Sequence, residues 1–261
     1  MTAFVSYAES PSEGQVGHIA ASSAGYTGRT LVRATDAVID CALAVCKGAT
    51  PGKTVKAPTT KAEAAACEGI LLDPVYLNEI GQVATTYAAG QPATVLEEGY
   101  LWVNSEGTVA VDDPVYVRHT SDGSANTTRG TLSNTSGGTV VLDTTSTVEG
   151  VYRVTLFNGV VNETFSYQTD GSAAANEITT GLVAAIDASA NYSAAGTTEC
   201  TITLVAGHTI EIVQLAGPTA AAEALYTVVD NQKCARLKGA RWAKARTGAG
   251  KTKVRLQLRQ D

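Results

Sequence analysis

Apolar and polar residues alternate with a period of two along much of this chain, in short runs broken by Gly, Pro, Asn and Asp. That is the pattern of strands half-buried in a sheet. The clearest run is Lys253-Val254-Arg255-Leu256-Gln257-Leu258-Arg259. In a strand it sends Val254, Leu256 and Leu258 to a core and turns Lys253, Arg255, Gln257 and Arg259 outward. Residues 38–45 read as a buried strand, and 68–72 as another, ended by Asp73-Pro74. Strands are also predicted over 94–96, 99–103, 108–111 and 115–118, with turns at 104–107 and 112–114. Residues 61–66 read as one helical turn or a loop. Residues 119–147, dominated by Ser, Thr, Asn and Gly, read as a long surface loop or hairpin. The spacing predicts a mainly β fold, a sandwich or barrel.

The period then changes. Strands are predicted over 151–157 and 163–167, joined by an Asn158-Gly159 hairpin turn. From 173 to 188, Ile178, Leu182 and Ile186 recur at four-residue spacing with Ala175 and Val183 alongside. That places them on one helical face, with Ser172 or Asp170 as the expected cap. Strands over 199–204 and 209–213 complete a ββαββ module. The expected organisation is a β-rich main domain, 1–147 plus 218–261, carrying a small inserted α/β domain, 148–217. A strand over 224–229 returns the chain to the main domain.

A chain of 261 residues can bury a sizeable core. Charged residues make up 17%, below the ~25% of an average domain, so much of the surface is neutral and polar, which suits burial between subunits. No run approaches the ~18 apolar residues of a membrane span. The first seventeen residues lack a basic start and an apolar stretch, which argues against a secretory signal and for synthesis in the cytoplasm. Cys41, Cys46, Cys67, Cys200 and Cys234 are odd in number and form no Cys-x-x-Cys pair. They read as small buried apolar side chains in a reducing compartment.

Candidate chemistry is sparse. His18, His119 and His208 stand apart from one another and form no ligand motif. Residues 248–252 end like a phosphate loop, but Ala245 stands where its first Gly is needed, and the segment reads as a hairpin turn. No Gly-x-Ser-x-Gly elbow occurs. Glu97-Glu98 and Asp112-Asp113 are sequence neighbours that a strand would send to opposite faces or a turn would solvate. Asp122-Gly123 reads as a turn, because the alternate acidic ligands of a calcium loop are missing. No catalytic residue, cofactor or metal is therefore nominated, and the chain reads as a non-enzyme.

Charge changes the picture. Residues 233–261 hold ten Lys or Arg against one Asp, a net of +9, whereas residues 1–232 hold nine against 24 Asp or Glu, a net of −15. Three readings of the basic end stand: a solvated face balancing the acidic remainder, a nucleic-acid contact, or a dock for an acidic protein surface. Only Trp242 is interleaved with the cations, which weakens the nucleic-acid reading.

The order of several short motifs carries a resemblance. Residues 11–17 (PSEGQVG) precede a strand ending in Cys46-Lys47-Gly48-Ala49. Val55-Lys56-Ala57-Pro58-Thr59, Glu68-Gly69-Ile70, Glu98-Gly99-Tyr100-Leu101-Trp102-Val103 and Asp113-Pro114-Val115-Tyr116-Val117-Arg118 follow. Ala235-Arg236-Leu237-Lys238-Gly239-Ala240-Arg241-Trp242 and the final strand close the set. Over about 1–120 and 218–261 this resembles the structural cement, or head decoration, proteins of tailed bacteriophages, while 148–217 resembles small ββαββ units of phage virion proteins. The resemblance implies a virion protein on the capsid exterior, bound to the major capsid protein and to itself as a homo-trimer or homo-dimer, without membrane or direct nucleic-acid contact. The expected docking residues are Lys253, Arg255, Arg259, Lys251, Arg241 and Lys238, aided by residues 1–17. A virion-surface or tail-associated carbohydrate-binding adhesive is the alternative, with Tyr152, Phe165 or Tyr192 stacking on sugar.

Overall fold

The computed structural model describes residues 16–17, 19–20, 29–73, 85–121, 123 and 127–258. Its elements run β1 (Arg29–Thr35), β2 (Ile39–Asp40), β3 (Ala44–Lys47), β4 (Thr54–Lys56), α1 (Lys61–Ala65), β5 (Gly69–Leu71), β6 (Thr86–Tyr87), β7 (Pro92–Ser105), β8 (Pro114–Arg118) and β9 (Leu132–Ser133). Then come β10 (Thr139–Thr144), β11 (Val151–Phe157), β12 (Asn162–Gln168), α2 (Ala175–Asp187), β13 (Tyr192–Ala195), β14 (Cys200–Leu204), β15 (Glu211–Ala216), α3 (Ala220–Glu223), β16 (Tyr226–Asp230), β17 (Cys234–Trp242) and β18 (Gly250–Gln257). The fold is mainly β, and its contacts divide it into two units. Unit 1 is Met1–Thr120, Thr128–Asn134 and Arg236–Asp261; unit 2 is Ser121–Thr127 and Thr135–Ala235.

Unit 1 is built on a nine-stranded sheet in the order β1-β4-β3-β5-β7-β18-β17-β8-β9, with further β1–β7 and β7–β9 pairings. Those two pairings close it on itself. The first half of β7 completes a five-strand ring with β1, β4, β3 and β5; its second half completes a five-strand barrel with β18, β17, β8 and β9. Closure removes most of the free edges an open sheet would expose. The first ring encloses Val45, Val55, Leu71, Tyr87 and Val95. In the second, Gly99, Leu101 and Val103 of β7 lie opposite Leu256, Val254 and Thr252 of β18, and the six form the inward row.

Three strand expectations are corrected here. Residues 38–45 are not one strand: β2 and β3 are separated at Ala42, whose φ of 59° turns the chain out of extended geometry. Residues 94–96 and 99–103, by contrast, belong to the single fourteen-residue β7. Residues 108–111 contribute only one bridge, Val109 to Arg246.

Unit 2 holds two sheets, β13-β14-β10-β16 and β12-β11-β15. α2 packs against strands of both, and one cluster joins Val140, Leu142, Tyr152, Val154, Leu156, Ile178, Leu182, Ile186, Tyr192 and Ile202. Alternation builds this core from β11, where Tyr152, Val154 and Leu156 are buried. The helical stripe of Ile178, Leu182 and Ile186 supplies the facing layer. The unit is wider than 148–217, because β10 and β16 complete the sheet that β13 and β14 begin. Residues 139–144 are thus a central strand rather than part of a surface loop. The helix cap also differs from expectation. Ala174 is the N-cap, and the carboxylates of Glu177 and Glu149 accept from the amides of Ala174 and Ala173. Asp170 instead accepts from the Ser172 amide.

Candidate docking face

β18 lies between β7 and β17, so its outward residues form the middle row of a three-strand face. Thr252, Val254 and Leu256 are buried, while Lys251 and Lys253 are half-buried and Arg255 is exposed, the alternation read from the sequence. On β17, Leu237, Ala240 and Trp242 face in, and Arg236, Lys238 and Arg241 face out. Lys238 and Gly239 are both exposed, and Gly239 has a φ of 79°. This left-handed residue absorbs the extra position as a bulge does, so that Arg236 and Arg241 share the outward face. A Cβ at Gly239 would run into the Gln257 carbonyl.

The pairing places Arg241 directly opposite Arg255, and on the other side Tyr100 opposite Arg255 and Trp102 opposite Lys253. Like charges directly opposed destabilise a sheet. Here Asp112, from the turn before β8, partly answers both: its carboxylate lies 3.8 Å from Arg255 Nη2, and its carbonyl accepts from Arg241 Nη1 at 3.2 Å. Trp102 lies under Lys253 and Lys244, whose Nζ atoms are 5.2 and 5.3 Å from its ring centroid. Although it points outward, Trp102 is only 6% exposed. Both lysines are half-buried, and their ammonium groups sit over the ring in a cation–π arrangement. Arg236, Lys238, Gly239, Arg241, Arg255 and Gln257 surround a shallow hollow of about 430 Å³.

Of the expected docking residues, Lys238, Arg241, Lys251, Lys253 and Arg255 thus meet on one face. Arg259 lies outside the described residues, as does nearly all of the 1–17 segment. Sequence reasoning missed Arg236, Trp102 and Asp112 as members of this face. Alternation through Tyr100-Leu101-Trp102 gave a signal for the tryptophan. Asp112 gave none, because its place depends on its amide donating to the Trp242 carbonyl across 130 residues of chain.

The other candidate chemistry resolves into structure. His119 is buried with Nδ1 2.8 Å from Thr120 Oγ1, and the His208 backbone bridges Ser136 and Asn158. His18 lies outside the described residues. Arg246 donates to the carbonyls of Ala249 and Lys251, so the glycine-rich stretch at 248–252 is pinned as the turn into β18. All five cysteines are free thiols, four of them buried, and burial pushes Cys41 and Cys46 up to about 11. The sugar-stacking rings proposed for an adhesive are corrected: Tyr152 and Tyr192 are core residues, and Phe165 packs edge-on against Tyr192 at 5.9 Å. Among the described residues no three His, Cys, Asp or Glu side chains gather as a metal set. No described helix is long and apolar enough to cross a membrane.

A closed β scaffold presenting one charged sheet face has the build of a structural binding protein. Residues 5–157 match the phage family described as structural cement protein (E217 gp24/Pam3 gp6), and the chain belongs to that family. Membership gives it a structural role in the phage capsid, in association with capsid proteins. The match takes in β1 to β11 and leaves β17 and β18 outside it. No curated protein matches the chain.

Proposed function

We propose that the protein decorates the outside of the assembled head and clamps neighbouring major capsid protein subunits together through the β7–β18–β17 face. The observation that carries this reading is the gathering of Arg236, Lys238, Arg241, Lys251, Lys253 and Arg255 on one ordered sheet face. A rigid strand face presents charge in fixed register, so it selects a complementary acidic surface and orients the encounter. Bridging several capsid subunits calls for more than ~2,000 Å² of interface. Closed symmetry favours a homo-trimer or homo-dimer seated at a local capsid axis. The added contact would resist the pressure of packaged DNA.

The test is to mix the purified protein with undecorated, expanded capsids and image the particles by cryo-electron microscopy. Ordered density on the shell at local symmetry axes is the expected outcome. The Arg241→Glu/Arg255→Glu protein should keep its thermal midpoint and leave the shell bare. A bare shell with the unaltered protein would overturn the reading, and full decoration by the double variant would remove this face from it.

A further inference from the structure

We propose that the hollow walled by Arg236, Lys238, Arg241 and Arg255 receives a short acidic peptide segment, and that Asp112 is a built-in competitor which the incoming carboxylate displaces. This rests on the docking reading of the same face and names the chemistry of its partner.

Four cations converge on one concavity of about 430 Å³, and three are guanidinium groups, whose planar forks match carboxylates with two parallel hydrogen bonds. Among the described residues, only Asp112 answers them. Its hold is weak by construction: the 3.8 Å approach to Arg255 is beyond hydrogen-bond length, and the two side chains are 75% and 48% exposed. The Asp112 backbone, however, is firmly placed. Its amide donates to the Trp242 carbonyl at 2.8 Å, its carbonyl accepts from Arg241, and its φ is 65°. A fixed backbone with a loosely paired carboxylate can release Arg255 without unfolding anything. The opposed Arg241 and Arg255 would then both face an incoming segment, so their mutual repulsion is relieved by binding.

An acidic peptide fits better than a nucleic acid. Four of the six cations on this face wall the one hollow, a footprint suited to a short segment. Trp102 is covered by lysines and offers no stacking platform. The chain as a whole carries −6, which repels a long polyanion while leaving a local basic hollow open to a short one.

The experiment titrates the full chain at low salt with a fluorescent hexaglutamate peptide, and in parallel with a labelled single-stranded oligonucleotide of equal length. Saturable peptide binding is expected. It should weaken about tenfold or more in Arg241→Ala/Arg255→Ala, and partly in Arg255→Lys, which keeps the charge and loses the fork. Asp112→Asn, a residue that tolerates the left-handed conformation, should tighten binding about three- to tenfold by removing the competitor. Unchanged or weaker binding by Asp112→Asn would overturn the proposal, as would tighter binding of the oligonucleotide than of the peptide. Circular dichroism and the thermal midpoint establish that each variant is folded. Capsid decoration by the same variants separates the two readings. Decoration that is lost in the Arg variants while the unaltered protein ignores the peptide overturns the hollow and leaves the docking face standing. Peptide binding that is lost while decoration persists supports the hollow and moves capsid docking elsewhere.

Discussion

The two units bury their strands by different means and carry opposite charge. Unit 1 closes a nine-stranded sheet around itself, and its C-terminal strands turn a row of cations outward. Unit 2 sandwiches its apolar residues between two small sheets and one amphipathic helix. Eleven Asp or Glu against two Lys or Arg give unit 2 a net of −9, whereas seventeen Lys or Arg against fourteen acids leave unit 1 at +3. The split is therefore finer than a basic tail on an acidic chain. Six of the ten C-terminal cations belong to a strand face in a barrel wall, and a separately cored unit holds much of the negative charge.

Their interiors differ as well. Unit 1 tolerates a buried ion pair: Arg118 meets Glu106 through two 2.6 Å bonds, and Thr131 and the Thr120 carbonyl complete the cluster. Unit 2 relies on apolar contact around α2. Removing one partner of a buried pair strands the other charge, so Glu106→Gln should cost about 3–5 kcal/mol. Chemical denaturation would measure the loss. Hydrogen exchange should quicken in β7, β8, β17 and β18 while β10 to β16 keep their protection. A uniform change would break the comparison.

The reciprocal change is Leu182→Ala, which empties a fully buried position on α2. A loss of about 2–5 kcal/mol is expected, with exchange quickening in β10 to β14 and not in the barrel strands. Binding of acidic peptide should be unaffected. Gly181→Ala is a subtler probe of the same layer. Alanine would favour the helix by ~1 kcal/mol, but its Cβ would strike the Tyr167 ring, whose hydroxyl donates to Glu177 at 2.5 Å. The ring must move, so a net loss of about 1–2 kcal/mol is expected. A stabilised variant would show that the Tyr167 layer is loosely packed.

The smallest effect is the most discriminating between the units. Arg255→Thr removes one of two directly opposed arginines from the barrel wall and substitutes a good strand former. Stability should rise by about 0.2–1 kcal/mol while peptide binding falls. A surface position whose replacement helps the fold and harms binding is held for binding. A fall in stability would instead make Arg255 a structural residue.

Much of this was legible in local pattern. The alternation of 253–257 fixed which residues of β18 face outward, and the four-residue spacing of Ile178, Leu182 and Ile186 fixed the buried stripe of α2. The errors share one cause. β10 is hidden among Ser, Thr and Gly because its partners are β14, some sixty residues on, and β16, farther still. The α2 cap differs from the local reading because Glu149, remote in sequence, takes the Gly171 and Ala173 amides just ahead of the helix, while Glu177 takes that of Ala174.

The sequence by itself determined the strand-rich class, the amphipathic faces and the sign of charge at each end of the chain, because side-chain direction follows from a period of two or 3.6 residues. Only the tertiary structure decided that β7 serves both closed rings, that Arg241 and Arg255 oppose each other, and that Asp112 reaches them. Those facts depend on register between segments up to 159 residues apart, as for Glu98 and Gln257, and register is set by how whole faces pack, which no local period encodes.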